Sequence, residues 1–301
     1  MKNLPLMLVL FFLVTLEAFG QKTNDIDALR LDADVSKFWQ EKVSAKKNRL
    51  PLVPLYSGRT QTNDSLGARN WIKTDFDGNG ETDLLIFRVE GITEILVVLS
   101  RDKKYELIKP SYSNQPRYQF VYPVVKAING KSVVLLYNQR QTGTLDKAGN
   151  MLYTKLECDT LVFKYGRVLN YCAHPQKHDI TQIIIENNGS CEGDCPKTAL
   201  TINAKSLSST ASKQEDWHSK VYRGSLSKKD IPTIIDLLNY ADFPRLSPSY
   251  RVQETDQTTT TLTVVYDGGK KKTIKDYGST GTFTLAEIYK LANRIDWVAV
   301  K

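Results

Sequence analysis

After Leu16 the 301-residue sequence contains no apolar run long enough to cross a bilayer as a helix, which takes roughly 20 residues. Transmembrane channels and carriers built from helices are thereby excluded. Cysteine is confined to four positions, Cys158, Cys172, Cys191 and Cys195, and none follows the N-terminal apolar stretch, so that stretch is not a lipoprotein signal. Nowhere do serine, histidine and aspartate take the local pattern of a serine hydrolase, and no short-period repeat is present. The formal charge of +8 comes from scattered lysines, among them Lys42, Lys103, Lys228 and Lys271. Such dispersal reads as solvated faces, and without a recognition motif it points away from nucleic acid.

What is present begins with the first 20 residues. Lys2 supplies a small positive region, Leu4 to Leu16 is almost wholly apolar, and Ala18 and Gly20 place small residues before a cleavage point at Gln21. This is the pattern of a cleavable secretory signal. The expectation is an exported protein, in the periplasm, on the cell surface or in the medium, with no transmembrane segment once the signal is removed. Export also makes disulfides permissible. Four cysteines allow three pairings, of which the local one, Cys158–Cys172 and Cys191–Cys195, is expected, because Leu161–Tyr171 reads as a hairpin flanked by the first pair. For Cys191-x-x-x-Cys195-Pro196 a shape-fixing turn, a redox pair and a zinc site all remain open readings. His174 and His178 read as part of a polar connection.

The periodicity predicts an α+β chain. Asn24 to Lys47 recurs near the helical period through Ile26, Leu29, Val35, Phe38 and Trp39. After Trp71 the pattern changes to short branched-apolar strands in an antiparallel meander, with Asn129-Gly130 as a hairpin turn and Gln139 to Gly149 as a polar loop. From Thr181 onward the pattern predicts a small α+β unit. Helices start at capping boxes at Ser227/Asp230 and Thr284/Glu287, a hairpin turns at Asp267-Gly268-Gly269, and the last helix reaches Ile295. The organisation expected is therefore a signal at 1–20, a helix plus antiparallel β domain at 21–180, and a small α+β domain at 181–301.

One segment carries chemistry. In Asp75-Phe76-Asp77-Gly78-Asn79-Gly80-Glu81-Thr82-Asp83, oxygen side chains stand at alternate positions and Gly80 sits where a calcium loop turns most sharply. Hard cations such as calcium need six to eight oxygens, and crowded carboxylates need a cation to offset their repulsion. The expected ligands are Asp75, Asp77, Asn79 and Asp83 through side chains and Glu81 through its backbone carbonyl. The segment departs from the EF-hand loop, since an apolar residue stands where the twelfth position of that loop carries glutamate. It resembles the calcium loops of integrin-propeller-type repeats, in which the loop leads straight into an apolar strand, as Asp83–Phe87 would.

A second resemblance begins at Cys191-Glu-Gly-Asp-Cys195-Pro196 and continues through Asp242-Phe243, Tyr250, Thr255-Asp256, the Thr258–Val265 strand, Lys275-Asp276-Tyr277-Gly278 and Ile295-Asp296. This segment resembles a family of uncharacterised small α+β domains of exported bacterial proteins; it departs from that pattern at Thr198 and in the serine-rich stretch that follows. The resemblance implies fold and export and no activity. Tyr250, Asp256, Lys275, Asp276 and Tyr277 are candidate pocket residues, since paired carboxylates can perform acid–base work. Trp71, Trp217 and Trp297 are candidate exposed aromatics. The expectation is a non-enzymatic binding or envelope-associated protein that meets a glycan, a peptide or an envelope protein. The alternatives are a hydrolase acting on glycan or peptide, and an inhibitor or immunity-type protein.

Overall fold

The computed structural model describes residues 23–44, 70–90, 92–102, 104–110, 120–139, 141–145, 147, 151–153, 157–189, 195–215, 220–252 and 255–300. The expected signal peptide, Cys191, Trp217 and the end of the first helical segment lie outside them.

A 3-10 turn, Asp25–Ala28, is capped by the Asn24 side chain, which accepts from the Ile26 amide. Helix α1, Asp32–Phe38, follows and runs on into a π-turn, Trp39–Val43. These elements cover one face of a four-stranded antiparallel sheet, β1 Trp71–Thr74, β2 Asp83–Glu90, β3 Ile92–Arg101 and β4 Lys104–Ile108, in that order. Strand period decides which residue goes where. Leu84, Ile86, Leu96 and Val98 meet Ile26, Val35 and Phe38 on the helical side. Leu85, Phe87, Ile95, Val97 and Leu99 point the other way, into a second core. The near-continuous apolar run of β2 thus reflects a strand buried on both faces.

That second core is shared with a second four-stranded sheet, in the order β10-β9-β6-β5. Its strands are β5 Phe120–Ile128, β6 Lys131–Gln139, β9 Glu157–Lys164 and β10 Arg167–Asn170. The Asn129-Gly130 turn forms as expected, both residues at positive φ. Gln139–Gly149 is not the plain loop expected: β7 Gln141–Leu145 pairs with β8 Met151–Tyr153.

The largest sheet has eight strands in the order β15-β17-β16-β11-β12-β13-β14-β18, all neighbours antiparallel except β15 and β17. The strands are β11 Ile180–Asn187, β12 Lys197–Asn203, β13 Ser208–Glu215, β14 Lys220–Leu226, β15 Ser249–Arg251, β16 Thr259–Tyr266, β17 Lys270–Tyr277 and β18 Ile295–Ala299. Helices α2, Asp230–Tyr240, and α3, Phe283–Ala292, pack on one face through Ile231, Ile234, Leu238, Leu285, Ile288 and Leu291. Val162 and Leu169 of the β9–β10 hairpin join this core, and Phe283 of α3 reaches back into the previous one. The expected α+β architecture is what forms.

Several local expectations are corrected. Helix α2 starts at Asp230, where only the Ser227 carbonyl accepts from the Asp230 amide, so no Ser227 capping box exists. The cap of α3 is Thr282, accepting from the Leu285 amide, not Thr284. Thr284 and Glu287 are buried instead. The last helix stops at Ala292, and Ile295 and Trp297 belong to β18. Trp71 is no exposed binding aromatic: it is buried, and its indole N–H donates to Asp32 at 2.7 Å.

The expected Cys158–Cys172 disulfide is also overturned. Both are free thiols, and among the described cysteines no disulfide joins one to another. The reason is register. The hairpin turns on Tyr165-Gly166 and aligns Arg167 with Lys164 and Asn170 with Leu161, where the pairing ends; extended two residues further, the same register would set Cys172 opposite Asp159 and not opposite Cys158. In an antiparallel ribbon an offset of one residue turns two side chains to opposite faces, an arrangement that a disulfide does not span. Cys195 is not among the free thiols, and its expected partner, Cys191, lies outside the described residues.

Candidate metal centre

Residues 75–82 connect β1 to β2, and the pair Thr74–Asp83 closes the hairpin at its base. Gly78 and Gly80 sit at φ 78° and 84°, the left-handed region that glycine enters without strain. With those two turns the loop curls around Asp75. One Asp75 oxygen accepts from the amides of Gly78 (2.7 Å) and Asn79 (3.1 Å), the other from Gly80 (2.8 Å). Asp83 is fully buried and accepts from the amides of Phe76 and Ser100, both at 2.8 Å. Asp77 accepts from the Asn79 amide and from Nε of Arg101 at 3.1 Å.

The structure brings Asp75, Asp77 and Asp83 together: one carboxylate oxygen from each lies within 4.8 Å of the others. A single ion holding oxygens at about 2.4 Å spans up to about 4.8 Å between ligands across it. Burial pushes the Asp83 carboxyl up to about 7, against the pull of its two amides, and the neighbouring charges of Asp77 and Asp75 push the same way. Three like charges in a partly buried loop are what a cation would neutralise. The cluster can therefore hold a metal ion, and its donors are all oxygens.

Asn79 and Glu81 turn their side chains elsewhere. The Asn79 amide donates to the Ser100 carbonyl at 2.7 Å and its oxygen accepts from the Glu81 amide. The Glu81 carboxylate accepts from the Ser100 hydroxyl at 2.7 Å and the Asp102 amide. Both brace the loop against the β3–β4 turn. Beyond the loop opens a cleft of about 820 Å³, lined also by Asp27, Lys73 and Ser132. Nζ of Lys73 donates to the carbonyls of Asp27 and Leu29.

The five pocket candidates of the C-terminal region do not converge. Asp276 is buried on the helical side of β17, accepting from the amides of Thr280 (2.7 Å) and Gly281 (3.1 Å). Desolvation raises its pKa, and those amides oppose the rise. Tyr250, whose hydroxyl accepts from the Ser247 amide, lies on the same side. Lys275 and Tyr277 alternate onto the opposite face of the strand. Asp256 is exposed in a loop at φ 60°. No carboxylate pair results.

A grouping the sequence hid is that of His178. Its Nδ1 lies 2.7 Å from Asp267, 89 positions away, and Phe243 and Tyr266 meet the ring edge-on. Its Nε2 has no hydrogen-bond partner, and Asp242 lies 4.0 Å off. Nothing in the spacing of His178 signals this, because the partners come from the β16–β17 turn and the corner after α2.

Among the described residues no helix is long and apolar enough to cross a membrane. No curated protein and no solved structure matches the chain. A family match does exist for the C-terminal part; it lends no support to the Cys191–Pro196 segment as a motif, nor to the likeness of the 75–83 loop to integrin-type repeats. Residues 181–296, most of the eight-stranded sheet and both of its helices, match the model of a family described as a domain of unknown function, DUF6438.

Proposed function

We propose that this chain is an exported, non-enzymatic binding or envelope-associated protein whose first sheet is rigidified by a structural calcium ion in the 75–83 loop. The convergence of Asp75, Asp77 and Asp83 at the base of the β1–β2 hairpin carries this reading. Calcium suits the all-oxygen donors and tolerates irregular geometry, and water can complete its shell from the adjoining cleft. The further ligands proposed are the backbone carbonyl of Glu81 and the side-chain oxygen of Asn79, which would have to give up the Glu81 amide to reach the ion. The ion would be held by carboxylates of a loop tied to the β3–β4 turn, so its role is to fix two hairpins together. Export rests on the pattern from Lys2 to Gly20. A glycan, a peptide or an envelope protein is the class of partner proposed. The hydrolase alternative is weakened because Asp256 and Asp276 do not face each other across any pocket.

Titration calorimetry on EDTA-stripped protein tests the metal. One calcium per chain is expected, abolished by the double substitution Asp75→Ala/Asp77→Ala, with magnesium binding more weakly. Absence of heat at millimolar calcium would sink the proposal. Mass analysis of the processed protein is expected to find a chain beginning at Gln21.

A further inference from the structure

We propose that the open face of the eight-stranded sheet is a docking surface for an acidic polysaccharide. The two helices occupy one face of this sheet, and no described element covers the other. Strand alternation makes the middle of that open face mostly hydroxyl-bearing, with Ile184, Val265 and Tyr277 half-buried on it and Val221 and Val298 exposed at its β14–β18 end. One row runs straight across all eight strands: Val298, Arg223, Ser212, Ala199, Glu186, Thr261, Lys275 and Ser249. The next row carries Thr210, Thr201, Ile184, Thr263 and Thr273 as successive cross-strand partners. With neighbouring strands about 4.8 Å apart, the face is roughly 34 Å wide. Side chains this small leave it flat.

Charge says what such a face accepts. Among the described residues, Arg223, Arg251, Lys271 and Lys275 are exposed on it, against Glu186 and Asp296. This excess is positive and spread across the width of the sheet, so it suits an extended polyanion more than a compact anionic ligand. The occupants compete on chemistry. A protein partner needs an apolar anchor at the centre of its patch; here the exposed valines stand at one end, and the centre offers the hydroxyls of Thr201, Thr210, Thr261, Thr263 and Thr273. A peptide adds to a sheet by its edge, not across its face. Single-stranded nucleic acid needs successive aromatic platforms, and among the described residues Tyr277 is the one aromatic on this face; duplex DNA presents a charge about every 1.7 Å, far denser than these cations. A polysaccharide with one carboxylate per one or two sugars matches the sparse cations, and its hydroxyls match the threonine and serine rows as donors and acceptors. The proposal rests on the binding role given above and narrows its partner to one class; the surface is separate from the metal loop, so loss of the calcium reading would leave it standing.

The test uses affinity electrophoresis through carboxymethyl-cellulose and through hydroxyethyl-cellulose, which share a backbone and differ in charge, at low salt, with and without calcium. Retention by the anionic polymer is expected to exceed that by the neutral one by at least about ten-fold and to fall with salt. Lys271→Glu/Lys275→Glu should abolish most of it, and so should Thr263→Glu, which sets an anion in the middle of the face without removing a cation. Lys228→Glu/Lys229→Glu, exposed ahead of α2, makes the same charge change away from the face and should alter retention less than about two-fold. All these positions are solvent-accessible, so folding is checked simply by the melting midpoint. Equal losses from the two lysine pairs would reduce the effect to overall charge and overturn the proposal. So would equal retention by both polymers, or tighter binding of a single-stranded oligonucleotide lost with the same substitutions.

Discussion

A single buried carboxylate can hold a loop without any metal, and Asp83 does so by accepting the amides of Phe76 and Ser100. In metal-free protein, Asp83→Ala leaves two buried donors without partners, which costs roughly 2–4 kcal/mol. Asp83→Asn retains a carbonyl acceptor for one of them and should cost clearly less. Urea unfolding in EDTA separates the two; equal losses would mean that the amide bonds carry no stability. Asp276 makes a pH prediction of opposite character to the usual paired carboxylate. Burial holds its folded pKa above the 3.8 of the unfolded chain. The native state therefore keeps a proton that the unfolded state has released. Stability from this group is full below about pH 3.8 and is lost as pH rises from there through the raised folded value. Asp276→Asn should flatten the fall in unfolding free energy over that interval, measured by urea titration at successive pH values. A slope unchanged by the substitution would assign the pH dependence to other groups.

Elements were legible where local chemistry alone decides them, and illegible where tertiary partners do. The turns at Asn129-Gly130 and Asp267-Gly268-Gly269 could be read directly, because positive φ selects glycine, asparagine and aspartate. The carboxylate convergence of the 75–83 loop was visible for a similar reason: the glycines and alternate oxygens dictate its curl. The register of β9 against β10, by contrast, is set by the two-residue turn at Tyr165-Gly166, and an offset of one residue separated cysteines that had looked paired. Both helix caps were missed by two positions, at α3 because Thr284 and Glu287 imitate a capping box while serving the interior. Glu287 in fact meets Arg167 at 2.5 Å, and both are largely buried. Asn170, three residues on in the same strand, accepts from the Phe283 amide at 2.7 Å, so the N-terminus of α3 is tied to β10 twice. Glu287→Gln should destabilise by roughly 2–4 kcal/mol, because it strands a guanidinium in a mostly buried site. Arg167→Met/Glu287→Leu should recover most of that loss. The double-mutant cycle by thermal unfolding checks both, and additive effects would remove the pair as a unit.

At the scale of the molecule, the boundary near residue 180 suggested by composition marks a change of sheet, while the packing crosses it. Val162 and Leu169 of the β9–β10 hairpin are buried in the core beneath α2 and α3, and Phe283 of α3 enters the core between the two smaller sheets. Tyr240 of α2 also reaches back, its hydroxyl accepting from the Cys172 amide at 3.2 Å. Sequence could not show this, since the hairpin's own pattern fits a meander equally well whichever layer receives its second face. A fragment 181–301 built on the family boundary would expose the apolar underside of α3 that the hairpin covers, an area whose burial stabilises at about 25 cal/mol per Å². A fragment 157–301 keeps that cover together with the Arg167–Glu287 pair. We expect the longer fragment to unfold cooperatively and the shorter one to melt several degrees lower and bind a hydrophobic dye, as measured by calorimetry and dye fluorescence. Identical melting of the two would establish that the C-terminal sheet and its helices stand without the hairpin, and would move the working boundary back to residue 180.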